Sequence, residues 1–120
     1  MAGRQELGSV RGFGVGPFVY TGTYTGDGST SLPVTGLGFR PKYVRIWSRV
    51  TSDAGAVSIS ETSREMMDDH ADGGSVDVDA AQFRTDEIIS LDPDGFTVDD
   101  DGADQHPNVN GTVYNFLALG

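Results

Sequence analysis

Short alternating runs, closed off by glycine and proline at regular intervals, constrain this chain more than any other feature. "PKYVRIWSRV" (Pro41–Val50) is the clearest of them. Tyr43, Arg45, Trp47 and Arg49 fall on one side of an extended chain, and Val44, Ile46 and Ser48 on the other. Successive side chains of a strand point to opposite faces, so the run reads as a half-buried strand. One face is apolar. The other mixes two aromatics with two arginines, which suits a covered or contact face better than plain solvent.

The same grammar extends over the rest of the chain. "FVYTGTY" (Phe18–Tyr24) is aromatic and β-branched, and Asp27-Gly28 follows as a turn. "SLPVTGLGF" is broken by Pro33 and two glycines and reads as an edge strand followed by a turn. Gly36 and Gly38 permit a positive φ before Phe39, and Pro41 fixes φ at the entry to the next strand. "AVSISE" (Ala56–Glu61) alternates with Val57 and Ile59 expected inward. "TSREMMDDHADGG" allows one short helix capped by Thr62 or Ser63. "SVDVDAAQF" predicts a short exposed strand and "DEIISL" (Asp86–Leu91) another. "DPDG" (Asp92–Gly95) is a turn with proline second and glycine last, and "FTV" returns from it. "TVYNFLAL" (Thr112–Leu119) ends the chain as a buried strand. Phe39 and Phe96 each follow a glycine turn and are expected to plug the two ends of the core.

About seven or eight short strands with turns every ~8–12 residues predict an all-β fold, a single antiparallel β-sandwich or jelly-roll-like domain. No α/β alternation and no repeat is visible. The chain of 120 residues, 37% hydrophobic and with 17 glycines, suffices for one thin core of two packed sheets rather than a deep cleft. It divides into a short flexible N-terminal arm, 1–17, and a β-sandwich domain, 18–120.

Charge narrows the function classes. The formal net charge is −10, which argues against a nucleic-acid partner and against an anionic membrane surface. No apolar run approaches the roughly 18 residues of a membrane span, and "MAGRQELGSVRGFGVGPF" lacks the apolar core of a signal peptide. The absence of cysteine excludes disulfides, thiolate metal sites and a cysteine nucleophile. Fourteen of the 18 acidic residues are Asp, and seven of the eight basic ones are Arg, with Lys42 the single lysine. Two readings fit this bias: a halophilic surface working in high salt, or a GC-rich genome. Arg4 and Arg11 against Glu6 give the arm a net +1, so the total of −10 leaves −11 on the body. A basic, glycine-rich arm on an acidic body fits a tether that orders on a partner; a frayed terminus fits it as well.

The order of "GTYTGDGST", "GLGFRPKYVRIW", "IISLDPDGFTV" and "NVNGTVYNFLAL" resembles a small β-domain of tailed phages and archaeal tailed viruses. The matching blocks span Gly22 to Leu119, with the stretch 51–81 matching least. The resemblance implies a virion structural or appendage protein rather than an enzyme, and it transfers no catalytic residue. The function expected from it is a capsid-surface subunit of decoration or turret type at the virion surface. Such a subunit docks by its arm and self-associates; its partners are further copies of itself and other virion proteins such as the major capsid protein. The alternative is a tail-fibre or baseplate module that binds a receptor or glycan.

Candidate sites follow from these readings. Arg4, Arg11, Gly12, Gly14 and Gly16 form the docking arm and its hinge. Tyr43, Arg45, Trp47 and Arg49 form the contact face. Exposure of Tyr20, Tyr24, Tyr43 and Trp47 in one groove would favour the receptor-binding alternative. "DPDGFTVDDDGADQHPNVNG" (Asp92–Gly111) holds six aspartates and one of the two histidines. An EF-hand needs glycine at position six of the loop, but Gly95 and Gly102 fall at position four from Asp92 and Asp99. The stretch therefore reads as a solvated loop; Asp99, Asp101 and Asp104 are the ligands of an irregular Ca²⁺ loop if it is not. His70 and His106 would have to meet across the fold to hold a transition metal. No cofactor is expected. "NGT" (Asn110–Thr112) is a glycosylation sequon, and Asn-Gly is also a strong hairpin turn. Met66 and Met67 read as gap-filling core residues.

Overall fold

A computed structural model describes residues 18–48, 59–69, 75–77, 82–85, 87–100 and 107–120. The arm (1–17), Arg49, His70, Asp101, Asp104 and His106 lie outside the described residues.

Among the described residues, nine strands and one helix follow in order: β1 (Val19–Thr25), β2 (Leu32–Val34), β3 (Tyr43–Ser48), β4 (Ile59–Ser63), α1 (Arg64–Asp69), β5 (Ser75–Asp77), β6 (Gln82–Arg84), β7 (Ile88–Asp92), β8 (Gly95–Val98) and β9 (Val113–Leu119). They build two antiparallel sheets, one of six strands in the order β1-β9-β3-β4-β5-β6 and one of three in the order β2-β8-β7. The fold is the all-β sandwich that the alternation predicts.

The core lies between the sheets. From the large sheet come Val44 and Ile46 of β3 and Tyr114, Phe116 and Ala118 of β9; the small sheet supplies Val34, Ile88, Leu91, Phe96 and Val98. The last strand is central, paired with β1 on one side and β3 on the other. Phe18 stacks on Phe39 at 5.4 Å, and Phe96 meets Phe116 edge-on at 5.1 Å. Gly22 is glycine for a packing reason. A Cβ there would stand 3.0 Å from the Phe116 ring and 3.1 Å from that of Tyr20.

Three local readings change in the structure. Ile59 faces outward, opposite Trp47, and the inward positions of β4 are Ser60 and Thr62, both fully buried. Ser60 is tolerated there because its hydroxyl donates to the equally buried Glu87 carboxylate at 2.6 Å. The exposed strand expected over "SVDVDAAQF" is two strands, β5 and β6, paired with each other. Asn110-Gly111 forms a turn, with the Thr112 N–H donating to the Val109 carbonyl at 3.1 Å and Gly111 at φ 83°. It is not a hairpin, since β9 pairs with β1 and β3 and not with the preceding strand β8. Ser63 is the helix cap, its Oγ accepting the Met66 N–H at 3.2 Å, and Met67 packs against the core.

Candidate functional site

Two faces of the large sheet differ sharply. The inner one is core. The outer one is laid out by strand register, which aligns Val19, Leu119, Tyr43 and Ser63 in one row. The next row is Thr21, Leu117, Arg45, Glu61 and Val76, and the third is Thr23, Asn115, Trp47 and Ile59. Tyr43, Arg45 and Trp47 are thus adjacent on the outward side of β3, as the alternation predicts, and each is half-buried. Val19 and Leu119 are exposed at 40% and 36%. The row positions carry aromatic and aliphatic side chains where a solvated sheet face would alternate to polar ones.

Glu61 joins the side chains of this face, and no signal in the sequence marks it, because the β3–β4 register does not follow from the run alone. The Tyr43 hydroxyl donates to Glu61 Oε1 at 2.7 Å, and Arg45 Nε stands 3.8 Å from the same oxygen. Partial burial pushes the Tyr43 phenol up to about 12, helped by the Glu61 hydrogen bond and charge and opposed by the Arg45 charge. The ion pair is surface-exposed and contributes little by itself; together with the Tyr43 hydrogen bond it joins both side chains to one Glu61 oxygen. Beside them, Arg45, Trp47, Ile59 and Leu117 line a shallow hollow of about 260 Å³.

Tyr20 and Tyr24 do not join Tyr43 and Trp47. They point into the core, where Tyr20 stacks on Phe116 at 5.8 Å and Tyr24 on Tyr114 at 5.2 Å. The Tyr24 hydroxyl donates to the Pro107 carbonyl at 2.7 Å, and burial, then the neighbouring Tyr114, holds its phenol well above the ordinary range. The four-residue groove is thereby ruled out; two aromatics remain on the outer face.

The aspartates at the sandwich ends have structural partners. Asp92 accepts from the Ser90 and Thr97 hydroxyls at 2.8 and 2.6 Å. Asp94 accepts the N–H groups of Gly36 and Gly38 at 2.9 and 2.7 Å, and its own carbonyl accepts that of Leu37 at 3.1 Å. Both glycines have positive φ, 92° and 83°, so the "GLG" and "DPDG" motifs are two halves of one joint between loop and hairpin. Asp27 and the buried Asn108 clasp each other. The Asn108 amide accepts the Asp27 N–H at 2.8 Å and donates to the Asp27 carboxylate at 3.0 Å and the Ser29 carbonyl at 2.8 Å. Hydrogen bonds from Ser29, then Asn108, hold the Asp27 carboxyl below its ordinary value.

Asp99, the described member of the calcium trio, is half-buried, and its N–H donates to the Glu87 carbonyl at 2.8 Å. Among the described residues no group of three or more His, Asp or Glu side chains could hold a metal ion. Asn110 is exposed in its turn. Among the described residues no helix is long and apolar enough to cross a membrane.

A family model described as a domain of unknown function, DUF7483, matches residues 8–118. The chain belongs to that family. The DUF7483 match takes in the sandwich up to Ala118 and reaches back to residue 8, so residues 8–17 of the arm lie within the family pattern. No curated protein and no solved structure matches the chain.

Proposed function

We propose that this DUF7483 chain is a non-enzymatic structural subunit of a tailed virus. In this reading it sits on the capsid surface, attached by residues 1–17, and associates with further copies through the outer face of its large sheet. The observation that carries the reading is the row of half-buried apolar and aromatic side chains around Tyr43, Trp47 and Leu117, pinned by Glu61 and rimmed by polar groups. An apolar centre with aromatic and arginine contacts and a polar rim is the anatomy of a protein interface. The structural use of Asp27, Asp92 and Asp94 supports a scaffold role for the acidic loops. The sequence resemblance to virion β-domains supplies the assignment to a particle.

The alternative of a receptor- or glycan-binding tail module draws on the hollow beside Trp47, where an indole and a guanidinium could meet a sugar ring. A single experiment separates the two. Particles are reassembled with chain lacking Met1–Gly16, and with Trp47→Ser in the full-length chain. The capsid-subunit reading expects the truncated chain to fold and stay off particles, and Trp47→Ser to weaken self-association. Normal incorporation of the truncated chain, with Trp47→Ser losing only host adsorption, would establish the tail module instead.

A further inference from the structure

We propose that strand β1 pairs edge to edge with β1 of a second copy, antiparallel and in one register, about a two-fold axis through Gly22. The inference rests on the self-associating role proposed above and assigns a second surface to it, distinct from the Tyr43–Trp47 face.

Four strands end the two sheets: β1 and β6 in the large one, β2 and β7 in the small one. Exposed edges template pairing with other chains, and proteins blunt them by shortness, proline, charge or bulges. β2 has three residues and contains Pro33. β6 has three residues and ends on Arg84. β7 carries a register irregularity between Ile88 and Ser90 and ends on Asp92. β1 has seven residues, "VYTGTYT", with no charge, no proline and an unbroken register against β9. Of the four, it alone lacks any such protection among the described residues.

The free edge can be read residue by residue. Phe18 and Gly120 exchange both of their backbone hydrogen bonds, at 3.0 and 2.9 Å. Hydrogen-bonded pairs alternate along an antiparallel ladder, so Tyr20, Gly22 and Tyr24 also direct their N–H and C=O groups toward β9. Val19, Thr21, Thr23 and Thr25 direct theirs outward, and all four residues are exposed.

The sequence of the strand then selects the occupant. About Gly22 it is a near palindrome: Thr21 matches Thr23, Tyr20 matches Tyr24, and Val19 matches Thr25, both β-branched. A two-fold interface must be self-complementary. With the axis at Gly22, Thr21 of one copy lies opposite Thr23 of the other, Val19 lies opposite Thr25, and every outward N–H finds an outward carbonyl. About eight ladder hydrogen bonds result, and threonine pairs of the kind that favour cross-strand contact align on the outer face. At the axis the two Gly22 residues form a non-hydrogen-bonded pair, where the strands approach most closely and the missing side chain leaves room. Charge points the same way. Two chains of net charge −10 repel, and β1 is a seven-residue surface that brings no carboxylate of its own into the contact. The two six-stranded sheets would then be continuous across the axis.

The chain has no cysteine, so the register can be trapped with introduced ones. Chains carrying Thr21→Cys and Thr23→Cys are mixed in molar NaCl, oxidised mildly and weighed by mass spectrometry, with Thr25→Cys alone as control. Opposed residues lie about 5.5 Å apart at Cα, within disulfide reach, whereas two Thr25 positions would be roughly 20 Å apart. The expected result is a covalent dimer containing one chain of each kind, at least about tenfold above the control. Thr23→Pro gives the second readout. It removes an outward N–H and spares the ladder to β9, so the chain should keep its fold while the dimer weakens by about 100-fold, two hydrogen bonds at roughly tenfold each. An oligomer whose mixed cysteines cross-link no better than the control, and which tolerates Thr23→Pro, would overturn the edge pairing while leaving self-association standing. A chain that sediments as a monomer throughout would overturn both.

Discussion

Replacing Asn108 by alanine tests whether the two ends of the chain are held together by the clasp described here. Asn108 is fully buried and makes three side-chain hydrogen bonds, to the Asp27 N–H, the Asp27 carboxylate and the Ser29 carbonyl. Its partners lie some 80 positions away in sequence, 81 for Asp27 and 79 for Ser29, so the contact closes most of the chain. A net ~1 kcal/mol per hydrogen bond, with the Asp27 and Ser29 groups partly regaining water, gives a loss of about 3 kcal/mol for the buried amide. For a chain this size that lowers Tm by roughly 10 °C. Thermal unfolding by circular dichroism and a urea midpoint at unchanged m value measure it. A second readout is independent of global stability. The Asp27 carboxyl, held down by Ser29 and then by Asn108, should titrate closer to its ordinary value in the variant, by NMR. Because its folded value lies below the unfolded one, its contribution is present above the unfolded value and fades as pH falls through the folded one. The variant should therefore lose less stability in acid. A Tm drop under about 2 °C with an unmoved Asp27 titration would refute the clasp.

Gly95→Ala should be far worse than Gly36→Ala: its Cβ would run into the Val34 carbonyl oxygen and cost about 4 kcal/mol or more. Gly36 opens onto free space and has only its φ of 92° against it, about 1–2 kcal/mol; both are read by urea denaturation. Raising the pH from 10 toward 12 should remove the Tyr43 contribution, because its folded value of about 12 lies above the unfolded 10.0 and the stability it adds is complete only below 10.0. Tyr43→Phe should abolish that part of the pH dependence. Stability should rise smoothly with any monovalent salt, which screens the net charge of −10, and millimolar Ca²⁺ should add nothing beyond matched ionic strength. A Tm that responds to chelator in high NaCl, and stops responding in Asp99→Asn with Asp101→Asn, would restore the calcium loop.

Where alternation and turn chemistry act locally, the sequence was legible. Val44, Ile46 and Ser48 inward against Tyr43, Arg45 and Trp47 outward follow from period two alone; the "DPDG" turn follows from its residues, and of the two caps the sequence allows, Thr62 and Ser63, the structure uses Ser63. Long-range pairing was not legible. Ile59 looked inward because an apolar residue in an alternating run defaults to the core; its actual side is set by the β3 register, which places it opposite Trp47. "DEIISL" reads as one strand from Asp86, whereas β7 begins at Ile88; nothing in "TDEIIS" marks Glu87, just before it, as a fully buried partner of Ser60. The aspartate-rich stretch looked like one cluster, yet Asp92 and Asp94 serve different contacts with hydroxyls and glycine amides that only the fold brings near. Likewise Tyr20 and Tyr24 resembled Tyr43 in type, and only the sheet order separates them onto opposite faces.

Electron cryomicroscopy of the tailed-virus particle in which the proposal places this chain tests the proposed role most directly. The expected map shows the six-and-three-stranded sandwich on the outer capsid surface, its Val19 end toward the shell where residues 1–17 lead in, and the Tyr43–Trp47 face covered by a neighbouring copy. Density for the sandwich only at the tail tip with that face open, or no such density anywhere on the particle, would contradict it.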